Sequence, residues 1–190
     1  MNNKRIFALL GASATGKTTI GNFLKKIGVP EIVSHTTREP REGEKEGVTY
    51  YYVNESEFEN LNKIEEVEYA GNKYAFTKDE IDDKLHKNDF VYLIADRNGI
   101  EQLKEIYGNI VKVIYFYSTP SECFYRLEER DGVQEAIKRL SHALEEGEFD
   151  NFDISDYIVR SKTGNLDKLK AQIRGIVTIE IGDVSFNGEN

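Results

Sequence analysis

Residues 11–18 run GASATGKT, a match to G-x-x-x-x-G-K-[ST]. That spacing suits the cradling of phosphate. Glycines let the backbone wrap until successive N–H groups face one anion, and a following helix N-terminus adds partial positive charge. Gly11, Ala12, Ser13, Ala14, Thr15, Gly16, Lys17, Thr18 and Thr19 would then hold ATP. Lys17 would act on the β- and γ-phosphates as a catalytic group, and the Thr18 hydroxyl would ligate Mg²⁺. The competing reading is a chance glycine turn with a solvated lysine. A strand-like RIFALL (5–10) before the loop and a helical GKTTIGNFLKKIG (16–28) after it favour the phosphate site.

A second cluster lies at 34–52, SHTTREPREGEKEGVTYYY. A guanidinium binds phosphate through paired charge-assisted bonds, and a phenol can donate to the same oxygens. Arg38 and Arg41, carried on a turn-rich loop, could converge there with the tyrosines. A solvated turn with Glu39, Glu42 and Glu44 as counter-charges is the default reading of the segment on its own. What favours an anion pocket is the first motif. A hydrolase needs one phosphate site and a water, whereas a kinase needs a second pocket for its acceptor.

The elements that must position these groups follow from the apolar pattern. FVYLIA (90–95), IVKVIYFY (110–117) and YIV (157–159) join RIFALL as buried strands. Helical patterns lie between them, including NGIEQLKEIYG and NLDKLKAQI, which argues for a parallel sheet with crossover helices. Ile20, Phe23, Leu24 and Ile27 share one helix face, and TPSE (119–122) is a capping box with proline at the first helical position. Two stretches break the alternation. Residues 32–76 hold short strand-like pieces (IVSH, TYYYV, KIEEVEY), as in an inserted β-rich lobe. Residues 126–146 form a charged helical pair around Asp131-Gly132 with little to bury, as in a mobile flap. The segment IVTIEIGDVSF reads as an added edge strand.

The chain has 190 residues and a net charge of −9, enough for one α/β core but no broad face for nucleic acid. Its apolar runs are too short to span a membrane, and IFALL runs straight into the glycine loop without a cleavage site. The single cysteine, Cys123, suits a reducing cytoplasm.

Taken together, GASATGKT, SHTTREPREGEKEGVTYYYV, IEEVEYAGNKYA and RLEERDGVQEAIKRL resemble the guanylate kinase family, over residues 5–170 or so. The resemblance implies an α/β, P-loop NTPase-type three-layer fold with a parallel core sheet, an inserted β-rich NMP-binding lobe and a helical lid. The core would comprise 1–31, 77–125 and 147–190, with the lobe at 32–76 and the lid at 126–146. It implies transfer of the ATP γ-phosphoryl group to GMP or dGMP with Mg²⁺, by a cytoplasmic monomer or homodimer that binds neither nucleic acid nor membrane. Arg38, Arg41, Tyr50 and Tyr74 match the residues that grip the acceptor phosphate, with Glu44 in the same loop, and Arg38 counts as catalytic. Ser34 and Glu65 match groups that read guanine. A carboxylate accepts only, and so can take both N1–H and the 2-amino group. Glu68 is the alternative reader. Arg130 and Arg139 match lid arginines that bring positive charge to the moving phosphoryl group, with Arg126 as a possible helper. No general base is needed, since the acceptor is already an anion. His35, His86 and His142 are assigned structural or surface roles, and Cys123 a packing role.

The chain departs from the family at three places. Phe76 stands where a hydroxyl usually contacts guanine; its ring would stack instead, while Thr77 begins a capping box, TKDE (77–80). Ile94 replaces the first acid of an Asp-x-Asp pair, leaving Asp96 as a metal or base contact. Glu128 stands where an arginine is common, and Arg160 or Ser161 near a usual asparagine. These changes keep two alternatives in view, a kinase with altered base preference and a weakly catalytic module that binds phospho-ligands. Retention of Lys17, Thr18, Arg130 and Arg139 favours catalysis.

Overall fold

The structure, a computed structural model, describes residues 4–69 and 71–182. In chain order its elements are β1 (Arg5–Leu10), α1 (Lys17–Lys26), β2 (His35–Thr36), β3 (Tyr51–Tyr52), α2 (Glu55–Glu59), β4 (Lys63–Tyr69), β5 (Asn72–Thr77), α3 (Lys78–Lys87), β6 (Phe90–Ile94), α4 (Arg97–Tyr107), β7 (Val111–Tyr117), α5 (Pro120–Asp131), α6 (Val133–Glu145), β8 (Tyr157–Arg160) and α7 (Leu166–Ile181).

Strand β1 is central in a parallel sheet of order β6-β1-β7-β8, which is why RIFALL is almost uninterruptedly apolar. Its residues alternate between two cores. Ile6, Ala8 and Leu10 pack with Ile81 and Leu85 of α3 and Ile100 and Leu103 of α4. Phe7 and Leu9 pack with Ile20 and Leu24 of α1 and Leu169 and Ile173 of α7. Helices therefore cover both faces of the sheet, in three layers. At the C-terminal end of β1 the chain must turn sharply into α1. Gly11 makes this possible, because a Cβ there would lie 2.6 Å from the Phe116 carbonyl oxygen of β7.

A second sheet, β3-β2-β5-β4, is mostly antiparallel. Beside it α2 begins at Asn54, whose side chain forms a reciprocal capping box with Glu57. The N-x-x-E signature of that helix is present in the sequence but sits within a β-like stretch. The TPSE box is formed as expected: Thr119 accepts from the Glu122 N–H, and the Glu122 carboxylate accepts from the Thr119 N–H.

Three expectations are corrected. The last segment is not an edge strand where it is described, because residues 176–181 continue α7 and bury Ile176 and Val177; the remainder, 183–190, lies outside the described residues. At 77–80 only half of the capping box forms. Thr77 caps α3 by accepting from the Glu80 N–H, but the Glu80 carboxylate turns away to accept from the Val33 N–H and the Tyr51 hydroxyl. The helical pair α5–α6 also buries more than its charge suggests: Leu127, Ala136 and Ala143 are inside. Its joint is Gly132, whose φ of +84° serves both the end of α5 and the start of α6.

Candidate active site

The phosphate loop sits between β1 and α1 with strained but ordered turns. Gly16, at the N-cap of α1, has φ +93°, and Ala14 takes a left-handed φ of +63°. The Thr15 hydroxyl donates to the Ala12 carbonyl oxygen at 2.8 Å, so it braces the loop from inside. No acidic residue occupies the first turn of α1, which leaves the helix N-terminus open to an anion. Lys17 bends back over the loop, its Nζ donating to the carbonyl oxygens of Gly11 and Ala12 at 2.6 and 2.9 Å. Burial lowers its pKa to about 8, against the pull of the Glu148 carboxylate.

Two cavities share Lys17 in their lining. The larger, about 760 Å³, runs from Leu10, Gly11, Ser13 and Lys17 to Ser34, Tyr50, Tyr74, Glu65, Phe76, Ile94 and Asp96. The smaller, about 400 Å³, is lined by Ala14, Gly16, Lys17, Thr18, Thr19, Arg126, Arg130 and Ser161 to Gly164. Among the described residues, Lys17 is the one that lines both. Such a site can hold two phosphorylated ligands with their phosphates toward one cation.

At the far end of the larger cavity, Glu65 is 7% exposed and its Oε1 has no hydrogen-bond partner among the described residues. Glu68 lies nearby but is exposed. A buried acceptor with an open lone pair is expensive unless a ligand donates to it, which favours Glu65 as the reader. Burial first, and then the Asp96 carboxylate beside it, push Glu65 up to about 9. Asp96 itself caps α4 by accepting from the Gly99 N–H at 2.9 Å. Phe76, 3% exposed, belongs to the core with Ile64, Ile81 and Ile100, so its ring forms a packed wall of the cavity.

The acceptor loop is organised around one carboxylate. Both oxygens of Glu44 accept from Nη2 of Arg38 at 2.9 Å, and one also accepts from the Arg41 N–H and the Tyr52 hydroxyl. The Arg38 guanidinium lies 5.5 Å from the Tyr50 ring centre, and Tyr50 packs edge-on against Tyr74. The sequence allowed two readings of Glu44, counter-charge and site residue; it sits as the counter-charge of Arg38 and lines neither cavity. Arg41 is exposed, and neither it nor Arg38 lines either cavity.

The helical pair is less assembled. Arg130 lines the smaller cavity but is paired with Asp131 at 2.7 Å. Arg139 is held by Glu135 and lines neither cavity. Arg126 is built into the scaffold: it donates to the Ala14 carbonyl, the Ser118 hydroxyl, the Ser161 carbonyl and the Thr163 hydroxyl. Arg160 is tied to Glu122 in the capping box, so Ser161 is the residue that faces the cavity. Sequence reasoning missed Glu148, which lines the larger cavity near Lys17, because no local motif marks it among its acidic neighbours. His142 is exposed, as expected, and also lines that cavity. His35 stacks on Tyr51 at 4.8 Å.

Comparison with known proteins adds a family. Residues 3–176 match the family model described as guanylate kinase. A guanylate kinase of Thermus thermophilus is 32% identical over 183 residues, covering 93% of this chain and 81% of that one. The guanylate kinase of Fusobacterium nucleatum is 30% identical over 153 residues, covering 77% and 83%. Among solved structures, a guanylate kinase from Anaplasma phagocytophilum superposes with a TM-score of 0.67 at 26% identity, covering 98% of this chain and 90% of its own.

Proposed function

Since the chain belongs to the guanylate kinase family, we propose that its two cavities are the donor and acceptor halves of one phosphotransfer site. The reaction is transfer of the ATP γ-phosphoryl group to GMP, giving GDP and ADP. The observation that carries the assignment of halves is the placement of Lys17 between the cavities.

In this reading ATP occupies the smaller cavity, with its phosphates on the loop Gly11–Thr19. Lys17 exchanges its two loop carbonyls for phosphate oxygens. Thr18, exposed at the start of α1, offers an oxygen ligand of the kind Mg²⁺ takes alongside water and nucleotide phosphates. That ion would neutralise charge on the β- and γ-oxygens. GMP occupies the larger cavity, its base toward Ser34, Glu65 and Asp96 and its phosphate toward Tyr50, Tyr74, Arg38 and Arg41. Arg38 leaves Glu44 for that phosphate, a swap of one anion for another. Arg130 and Arg139 turn from Asp131 and Glu135 to the transferring group as the α5–α6 pair closes. No proton need be removed from the acceptor, so no base is assigned.

We place the moving parts at 32–76 and 126–146, on a core of 1–31, 77–125 and 147–190. No helix among the described residues is long and apolar enough to cross a membrane. The lone, buried Cys123 fits a cytoplasmic setting.

An ADP-release assay over GMP, dGMP, AMP, CMP and UMP tests the reading. Turnover is expected with GMP and dGMP and little with the others; turnover with none would promote the phospho-ligand module. Arg38→Ala should raise the KM for GMP by about 10- to 100-fold, the value of charged hydrogen bonds to phosphate, and leave the KM for ATP near wild type. An unchanged GMP titration would remove Arg38 from the acceptor site.

A further inference from the structure

Glu65 reaches its place by an irregularity. Along β4 and β5, Lys63 pairs with Thr77 but Glu65 pairs with Phe76, so Ile64 is an extra residue on β4. Regular alternation would send Ile64 and Glu65 to opposite faces, yet both are buried. The bulge re-aims Glu65 across the junction between the two sheets, onto the first turn of α4.

What it meets there is Gly99. A Cβ on Gly99 would lie within 2.6 Å of all three atoms of the Glu65 carboxyl group, a distance at which something must shift. Gly99 does not have a left-handed φ, so its backbone would accept any L-residue. It sits inside the helix Arg97–Tyr107, where alanine would be the better helix former. Neither conformation nor propensity explains a glycine here. Close approach does, and the group that approaches is the carboxyl with an unpartnered Oε1.

We propose that Gly99 is a specificity-determining position, a seat without a side chain that sets where the Glu65 carboxyl meets the base. This rests on the reading of the larger cavity as the GMP site. The lobe strand β4 supplies the carboxyl, but the core helix α4 fixes its depth. Movement of the Arg38 loop can then follow the phosphate while the base edge is read against a rigid support. A methyl group at position 99 would displace the carboxyl along the cavity, and a purine that donates twice would suffer more than one that donates once.

The test compares GMP with inosine monophosphate, which keeps N1–H and lacks the 2-amino group. Gly99→Ala is expected to lower kcat/KM for GMP by about 10- to 100-fold and to reduce the GMP-to-IMP preference by about tenfold, the scale of one hydrogen bond to a charged group. Shortening the reader should make room for the methyl group. The double variant Glu65→Asp with Gly99→Ala should therefore prefer GMP more strongly than Glu65→Asp alone, a sign of coupling that independent sites do not show. An unchanged preference in Gly99→Ala overturns the seat, as does a double variant worse than Glu65→Asp alone; the latter comparison holds even if Gly99→Ala does not fold by itself. Equilibrium binding of both nucleotides separates this from the reaction. Binding that follows the pair without turnover would sink transfer only, while turnover indifferent to the pair would sink the seat only.

Discussion

Lys17→Ala is expected to reduce GMP-dependent ADP release by at least about a thousandfold, the scale of removing a cation from a transferring phosphoryl group. The reason lies in where the ammonium sits. Among the described residues Lys17 is the one that lines both cavities, and the present partners of its ammonium are two loop carbonyls that a phosphate can replace. Stability should move the other way or not at all. Burial holds the folded-state pKa near 8, below the ordinary lysine value, so the folded chain carries a cation it would rather not bury. In the window between about 8 and the ordinary lysine range the unfolded chain binds more protons, so stability rises with pH there. Below the window the full penalty applies, and replacing Lys17 removes it. The variant should thus melt at or slightly above the wild-type temperature at neutral pH. Near-normal turnover in a folded Lys17→Ala protein would overturn the placement of ATP on this loop.

The parts of the molecule that could be read in advance share a physical property: their signal is local. A parallel strand covered on both faces must be apolar throughout, so RIFALL and IVKVIYFY announced themselves. The phosphate loop needs consecutive backbone groups, and hence a contiguous motif. TPSE carries its own cap. The second sheet was legible only as β-like texture, because β2 and β3 have two residues each and leave no period to detect. The least legible features are those made between distant segments. Arg126 looked like a lid residue, but its partners come from the loop at 14 and from 118, 161 and 163, which no spacing along α5 foretells. Glu80 fitted a local capping box, and a tertiary demand from Val33 and Tyr51 took its carboxylate. Phe76 read as a ring for stacking on a base; the core beneath it claims most of its surface. The seat at Gly99 was invisible for the same reason, since a glycine inside a helical pattern says nothing of what lies against it.

Glu65→Gln makes the second large prediction, with opposite signs for activity and stability. Guanine presents two donors, so the Glu65 carboxyl must give up its proton on binding to accept from both, whereas an amide keeps its own donor; one hydrogen bond is then lost and an N–H is set against an N–H. The GMP-to-AMP preference should fall by about 10²- to 10⁴-fold, as expected when a buried site built for hydrogen bonding is mispaired. For stability, burial and the neighbouring Asp96 raise the folded-state pKa of Glu65 to about 9, well above its unfolded value. Below the ordinary carboxylate range both states hold the proton and the group costs little. Between that range and about pH 9 the unfolded chain releases its proton first, so the wild type loses stability as pH rises. Glutamine has no proton to lose. The variant should therefore melt close to wild type near pH 4 and increasingly above it toward pH 9, while its GMP turnover collapses. Parallel melting curves across that range would show that Glu65 is not held protonated at the junction of the sheets. An unaltered GMP-to-AMP ratio would pass the reading of the base to Glu68. If both signs hold, the unpartnered oxygen of Glu65 is stability given up for discrimination, and the binding of guanine is what restores it.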